Sequence, residues 1–210
     1  MGKSVPIRFL ASPHHRDRGG RHVDLIVIHH ITCPPGRFGT AEVEALFLGT
    51  LDTSRHPAYR DLEGRELSAH FLVDRGGRVT QFVPTDRAAY HAGVSRWRGR
   101  ERCNDFSVGI ELIGDAEHDF TRRQYGSLAR LCRGLMRTYP KITPRRIVGH
   151  SQVAMPRGRK HDPGPRFDWE RLRRELAAPH SKIVPVRRPR VLSSPSRDRP
   201  GRGSGRSWGL

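Results

Sequence analysis

No stretch of this chain holds the roughly 18 consecutive apolar residues of a membrane-spanning helix, which argues against a helical membrane protein. The start of the chain is apolar only at Val5-Pro6-Ile7-Arg8-Phe9-Leu10, and Pro6 and Arg8 interrupt that run, making a poor secretory signal. Cysteine is scarce. Cys33, Cys103 and Cys132 form an odd set with no C-x-x-C pair, which argues against a disulfide framework and a cysteine-based zinc site and fits a reducing compartment. Aromatics are 7% and hydrophobic residues 35%, so a compact core requires part of the chain to stay outside it.

Acidic residues are also in short supply, 21 against 39 basic, for a net charge of +18. Residues 179–210 carry eight basic residues and one acidic, and residues 1–22 carry five and one, so more than half of the excess lies at the ends. Such segments attract polyanions by counterion release. Neither an aromatic stacking platform nor a nucleic-acid motif accompanies the charge, so solvated tails without a specific nucleic-acid partner are expected.

At 210 residues the length suits one domain with tails. We expect an N-terminal segment, 1–22, partly ordered around Ile7, Phe9 and Leu10; a folded domain, 23–178; and a tail, 179–210, rich in Pro, Arg, Ser and Gly and therefore disordered. Between the ends, apolar runs alternate with helical patterns. Leu25-Ile26-Val27-Ile28 reads as a strand buried on both faces. Residues 40–48 read as a short helix, and residues 69–73 and 79–83 as a hairpin around Gly76-Gly77. Ser107–Leu112 and Arg146–Gly149 read as strands and 168–177 as a closing helix. In 121–139 the residues Tyr125, Leu128, Ala129, Cys132, Leu135, Met136 and Tyr139 make one stripe, Thr121 with Gln124 forms a capping box, and Pro140 marks the stop. The pattern predicts an α/β fold, a mixed central β-sheet flanked by helices, in a single domain.

Twelve histidines are the compositional oddity. His29 follows Leu25–Ile28, His150 follows Ile147-Val148-Gly149, and Asp162 sits in a loop stiffened by Pro163, Gly164 and Pro165. Two imidazoles and one carboxylate are a common ligand set for catalytic zinc. His30 competes with His29, because adjacent strand residues point to opposite faces, and spacing alone does not choose between them. Glu111 lies inside an apolar strand, where a carboxylate is costly to bury unless it has a partner or a proton to carry. Lys160, two residues before Asp162, could put an ammonium next to a developing oxyanion, although most lysines in such basic loops are merely solvated.

Ile28-His29-His30 followed by Pro34-Pro35-Gly36-Arg37-Phe38-Gly39, the stretch HAGVSRWRGRERCNDFSVGIEL at 91–112, and Gly149-His150 with RKHDPGPRFDW at 159–169 together resemble the AmpD-type N-acetylmuramoyl-L-alanine amidases. These belong to a wider group that includes the peptidoglycan recognition proteins, and the resemblance covers roughly residues 5–178. It implies zinc held by His29, His150 and Asp162, which selects His29 over His30. It implies further that Glu111 polarises the attacking water and that Lys160 stabilises the tetrahedral intermediate. His91, Arg102 and Asn104 fall in the segment that lines the muropeptide groove, where an arginine suits stem-peptide carboxylates. The implied reaction is hydrolysis of the amide between the lactoyl group of N-acetylmuramic acid, often in its 1,6-anhydro form, and L-Ala, by a cytoplasmic monomer in muropeptide recycling.

Three features depart from the family pattern: His30 in place of Asn, Gln152 in place of Asp, and a longer connection through Met155–Arg159. Two other readings use the same residues. One is a broader amidase acting on intact peptidoglycan, to which a basic chain would adhere. The other is a non-catalytic peptidoglycan-binding module, against which the presence of Asp162 argues.

Overall fold

The computed structural model describes residues 7–178; the segment 179–210, for which disorder is expected, lies outside the described residues. In chain order the strands are β1 (Arg8–Phe9), β2 (His15–Asp17), β3 (Leu25–Ile31), β4 (Phe71–Val73), β5 (Val79–Gln81), β6 (Arg87–Ala89), β7 (Arg96–Trp97), β8 (Arg100–Glu101), β9 (Ser107–Ile113) and β10 (Ile147–Gly149). The α-helices are α1 (Ala41–Leu48), α2 (Arg122–Thr138), α3 (His150–Val153) and α4 (Trp169–Ala177). Six strands form one sheet in the order β1-β5-β4-β9-β3-β10, with β4 and β5 antiparallel and every other neighbouring pair parallel. The α/β expectation holds: one mixed sheet with helices packed on it.

Leu25–Ile28 of β3 is apolar without alternation because the sheet is covered on both sides there, whereas β9 alternates Val108, Ile110 and Leu112 with Ser107, Gly109 and Glu111. Ile26, Ile28, Val108, Ile110 and Leu112 pack against the α2 stripe of Tyr125, Leu128, Ala129, Cys132 and Leu135, with Leu172 of α4 alongside. On the other face Leu25 and Val27 meet Ala92, Trp97, Cys103 and Phe106. Helix α1 buries Val43, Leu46 and Phe47 over Leu72 and Ile113. Helix α2 begins at the capping box anticipated from Thr121 and Gln124, each side chain bonding the other's backbone N–H. Ile110 is fully buried on a central strand. Ile110→Ala is expected to cost about 2–5 kcal/mol through lost burial and the cavity left behind, read as a lower urea midpoint at unchanged slope.

The N-terminal segment joins the sheet through β1, but Phe9 stands 49% exposed on that edge strand, whereas Ile7 and Leu10 pack inward. Phe9 is therefore not part of the packing expected of it; the edge position leaves its face uncovered. Arg18 is buried and anchors the segment, its guanidinium donating to the carbonyls of Thr85, Asn104, Asp105 and Ser107. Next to it His70 is fully buried, with Nδ1 accepting the Gly109 N–H at 3.0 Å and Nε2 at 3.0 Å from the Arg87 carbonyl.

Burial first, and then the nearby Arg18 charge, push the His70 pKa well below 6.5. A histidine kept neutral in the fold but free to protonate when unfolded supports stability fully above about pH 6.5 and withdraws that support as pH falls toward its lowered folded value. The stability difference between the native sequence and His70→Gln should therefore shrink as pH drops from 7 to 5, by at most about 1.4 kcal/mol per pH unit. Paired urea titrations at each pH measure it, and a difference that does not change with pH would contradict a neutral buried His70.

Candidate metal centre and active site

The strand β3 runs past Ile28 to Ile31, so His29 lies within the strand rather than beyond its end, held in register opposite Glu111 of β9. The extension follows from continued pairing of His29, His30 and Ile31 with Glu111, Leu112 and Ile113. Alternation sends His29 toward the site. His30 turns to the other face, where its ring stacks at 6.4 Å on Phe120 and its Nδ1–H donates to the Pro163 carbonyl at 3.1 Å.

His150 opens α3 directly after β10, and because β10 lies parallel beside β3 the His29 and His150 rings come within 4.5 Å. Asp162 arrives on the loop before α4, fixed by the Ser151 N–H donating to its carbonyl at 3.0 Å. That approach requires glycine at 149, since a Cβ there would lie 2.7 Å from Cδ of Pro163.

Asp162 Oδ2 stands 3.0 Å from Nδ1 of both His29 and His150, and the ligand atoms of the three residues all lie within 4.8 Å of one another. Among the described residues this is the group of three able to hold a metal ion. Its donor set fits one. His150 Nε2 faces the Ala92 carbonyl at 3.1 Å and must carry the ring proton to donate there, leaving Nδ1 as a bare lone pair aimed at a carboxylate oxygen. Two lone pairs at that distance repel, and a cation between them converts repulsion into coordination.

Burial lowers the His29 pKa to about 4, so its ring is neutral at pH 7. Burial also works against an ionised Asp162, and a cation held between its oxygen and the bare ring nitrogens is what would keep it ionised. Glu111 goes the other way: burial, and then the Asp162 charge, push its pKa well above 4.5 despite the opposing Lys160. Its Oε1 lies 4.0 Å from His29 Nδ1, and its buried Oε2 has no partner. A carboxylate in that state is suited to accepting a proton near neutral pH.

All five residues, with His91, line one cavity of about 250 Å³. A larger hollow of about 670 Å³ beside α1 holds Glu42, Asp52 and His56, with no group of three able to share a metal. The candidate metal group thus lies in the smaller cavity.

Residues 19–165 match the family model described as N-acetylmuramoyl-L-alanine amidase. The chain is 48% identical over 171 residues to the 1,6-anhydro-N-acetylmuramyl-L-alanine amidase AmpD of Haemophilus influenzae, an alignment covering 81% of this chain and 92% of that protein. The chain belongs to the N-acetylmuramoyl-L-alanine amidase family. A crystal structure of a selenomethionine AmpD derivative matches this amidase at 43% identity and a TM-score of 0.78, covering 83% of this chain and 96% of that one. The amidase AmiD of Escherichia coli, solved with the substrate anhydro-N-acetylmuramic acid-L-Ala-D-gamma-Glu-L-Lys, matches at 27% identity and a TM-score of 0.55, covering 76% of this chain and 60% of that one.

In this amidase the three residues expected along the muropeptide groove occupy different places. Arg102 stands outside the cavity with its side chain 67% exposed, paired at 3.3 Å with the buried carboxylate of Asp105. Asn104 Oδ1 accepts the backbone N–H groups of His91 and Ala92 at 3.3 and 2.8 Å. It thereby fixes the segment whose Ala92 carbonyl receives His150. His91 lies behind His29, with Nδ1 3.0 Å from His29 Nε2.

The departures from the family pattern are structural. Gln152 Oε1 accepts the Gly149 N–H at 2.8 Å and closes the turn into His150. In the longer 155–159 connection, Arg159 donates to the Met155, Ala92 and Val94 carbonyls. Sequence reasoning passed over Ser107 and Gly109. Both share the alternating face of β9 with Glu111, and counting back by two from that carboxylate would have pointed to them.

Proposed function

We propose that this amidase is zinc-dependent and hydrolyses the amide between the lactoyl group of 1,6-anhydro-N-acetylmuramic acid and the L-Ala of the stem peptide, as a cytoplasmic monomer in muropeptide recycling. The observation that carries the proposal is the convergence of His29, His150 and Asp162 in one cavity with Glu111, whose buried Oε2 has no partner. His29, His150 and Asp162 would hold a zinc ion, which would supply Lewis acidity to the scissile carbonyl and the attacking water. Glu111 is placed to accept a proton from that water and to return it to the departing amine. Lys160, on the cavity wall, faces the oxygen on which negative charge develops. Arg102 is assigned to the stem-peptide carboxylates, since its exposed guanidinium has capacity beyond the single Asp105 contact.

The anhydro form of the substrate is supported by the names of the AmpD relatives and by the ligand of the AmiD complex. A cytoplasmic setting is supported by Cys33, Cys103 and Cys132, all free and buried, and a monomer by a site complete within one chain. Incubating zinc-loaded protein with soluble anhydro-muropeptide should release free stem peptide by mass spectrometry; no release would end the proposal. Parallel digestion of intact sacculi separates a recycling enzyme from a broader amidase, which would solubilise them at a comparable rate.

A further inference from the structure

A chain of hydrogen bonds runs backward from the metal-facing histidine of β3 and ends on a group that can only accept. Ser107 Oγ lies 2.6 Å from the Cys103 carbonyl, so the hydroxyl proton is committed there. The Ser107 oxygen is then an acceptor for His91 Nε2, 3.2 Å away, which must carry a proton. His91 Nδ1 is left as a lone pair and accepts from His29 Nε2 at 3.0 Å. With its proton on Nε2, His29 presents a bare Nδ1 to Asp162 and to the metal position. One backbone carbonyl thus dictates, through two side chains, which nitrogen of His29 is free to bind.

The packing around this relay leaves its geometry little freedom. His91 is buried, and its ring occupies the space that a side chain at residue 109 would fill: a Cβ on Gly109 would lie 2.4 Å from His91 Cγ. The rings of His29 and His91 meet edge to face with centroids 5.1 Å apart. Both His91 ring nitrogens are engaged inside the protein, leaving neither for a substrate.

We infer that His91 is a positioning residue of the metal centre, acting with Ser107 and Gly109 to fix the tautomer and orientation of His29, and not a substrate ligand. The inference rests on the zinc reading above and extends it to partners behind the ligand, which tune affinity by holding a ligand's second nitrogen.

The test uses the full chain. In the metal-free protein, nitrogen-15 NMR of the histidine rings should show His29 protonated at Nε2 and bare at Nδ1. His91→Leu, which removes the acceptor, should bind zinc about 10- to 100-fold more weakly by chelator competition, with the fold checked by circular dichroism. His91→Asn places an amide oxygen at the same number of bonds from the backbone as Nδ1, and should recover most of that loss. A His29 ring protonated at Nδ1 in the unaltered chain would overturn the inference, as would a folded His91→Leu binding zinc within twofold of it. Should His91→Leu fail to fold, the tautomer of the unaltered chain and the zinc affinity of His91→Asn still decide. Should the unaltered chain take up no zinc, the zinc reading fails, and the tautomer alone judges the relay.

Discussion

Replacing Asp162 by Ala is expected to remove both the metal and the activity. Asp162 is the only carboxylate in the proposed ligand set and lies 3.0 Å from both proposed histidine ligands, so the variant retains two imidazoles at most. Zinc affinity should fall by more than the roughly 10- to 100-fold that loss of an outer hydrogen-bond partner costs, and stem-peptide release should drop below detection at equimolar zinc. The loop stays anchored through the Asp162 backbone carbonyl and the His30–Pro163 bond, so the fold should survive. Zinc content after dialysis together with circular dichroism tests this directly. Full retention of zinc by Asp162→Ala would show that the ligand set is wrong.

Glu111→Gln should have the opposite signature: metal retained, chemistry lost. The amide keeps the shape of the side chain but cannot take a proton, and removing a general base typically lowers kcat by about 10²–10⁴-fold. The variant also has a stability signature in the metal-free protein. Burial raises the Glu111 pKa above its unfolded value, so its contribution is fully present below about pH 4.5 and is lost as pH rises through the raised folded value. Glu111→Gln should remove that loss, and metal-free Glu111→Gln should therefore gain stability relative to the native sequence between pH 5 and 8. A variant with near-native kcat would exclude Glu111 as the base, whatever its stability.

Much of this was readable in the residues, for physical reasons. The helix α2 is announced by a stripe at spacings of three and four, a capping box and a stop, and all of these are local signals. The start of β3 is recognisable because burial on both faces demands an unbroken apolar run, and β9 because Val108, Ile110 and Leu112 recur at every second position. Short pairings such as β2 with β6 and β7 with β8 escaped, because two- or three-residue strands defined by distant partners leave no periodic trace. The extension of β3 through His29-His30-Ile31 was hidden by the two histidines, which interrupt the apolar run while the ladder to β9 continues.

At the site, residue types and family resemblance together pointed to the ligand triad, and the geometry brings those three residues together. The place of His91 was not legible. Nothing in the segment 91–112 distinguishes a groove-lining imidazole from one standing behind a ligand, and only the fold brings Ser107 and Gly109 up to it.

His29 and Asp162 sit 133 positions apart in the chain yet meet on one oxygen. An ion bridging them would act as a removable cross-link between the start and the end of the domain, one the unfolded polypeptide cannot form. By mass action, free metal at a hundred times its dissociation constant adds about 2.7 kcal/mol to folding. Chelation should therefore lower the melting temperature as well as silence the enzyme, and a core lesion tolerated in the loaded protein should become lethal to the fold when the ion is withdrawn.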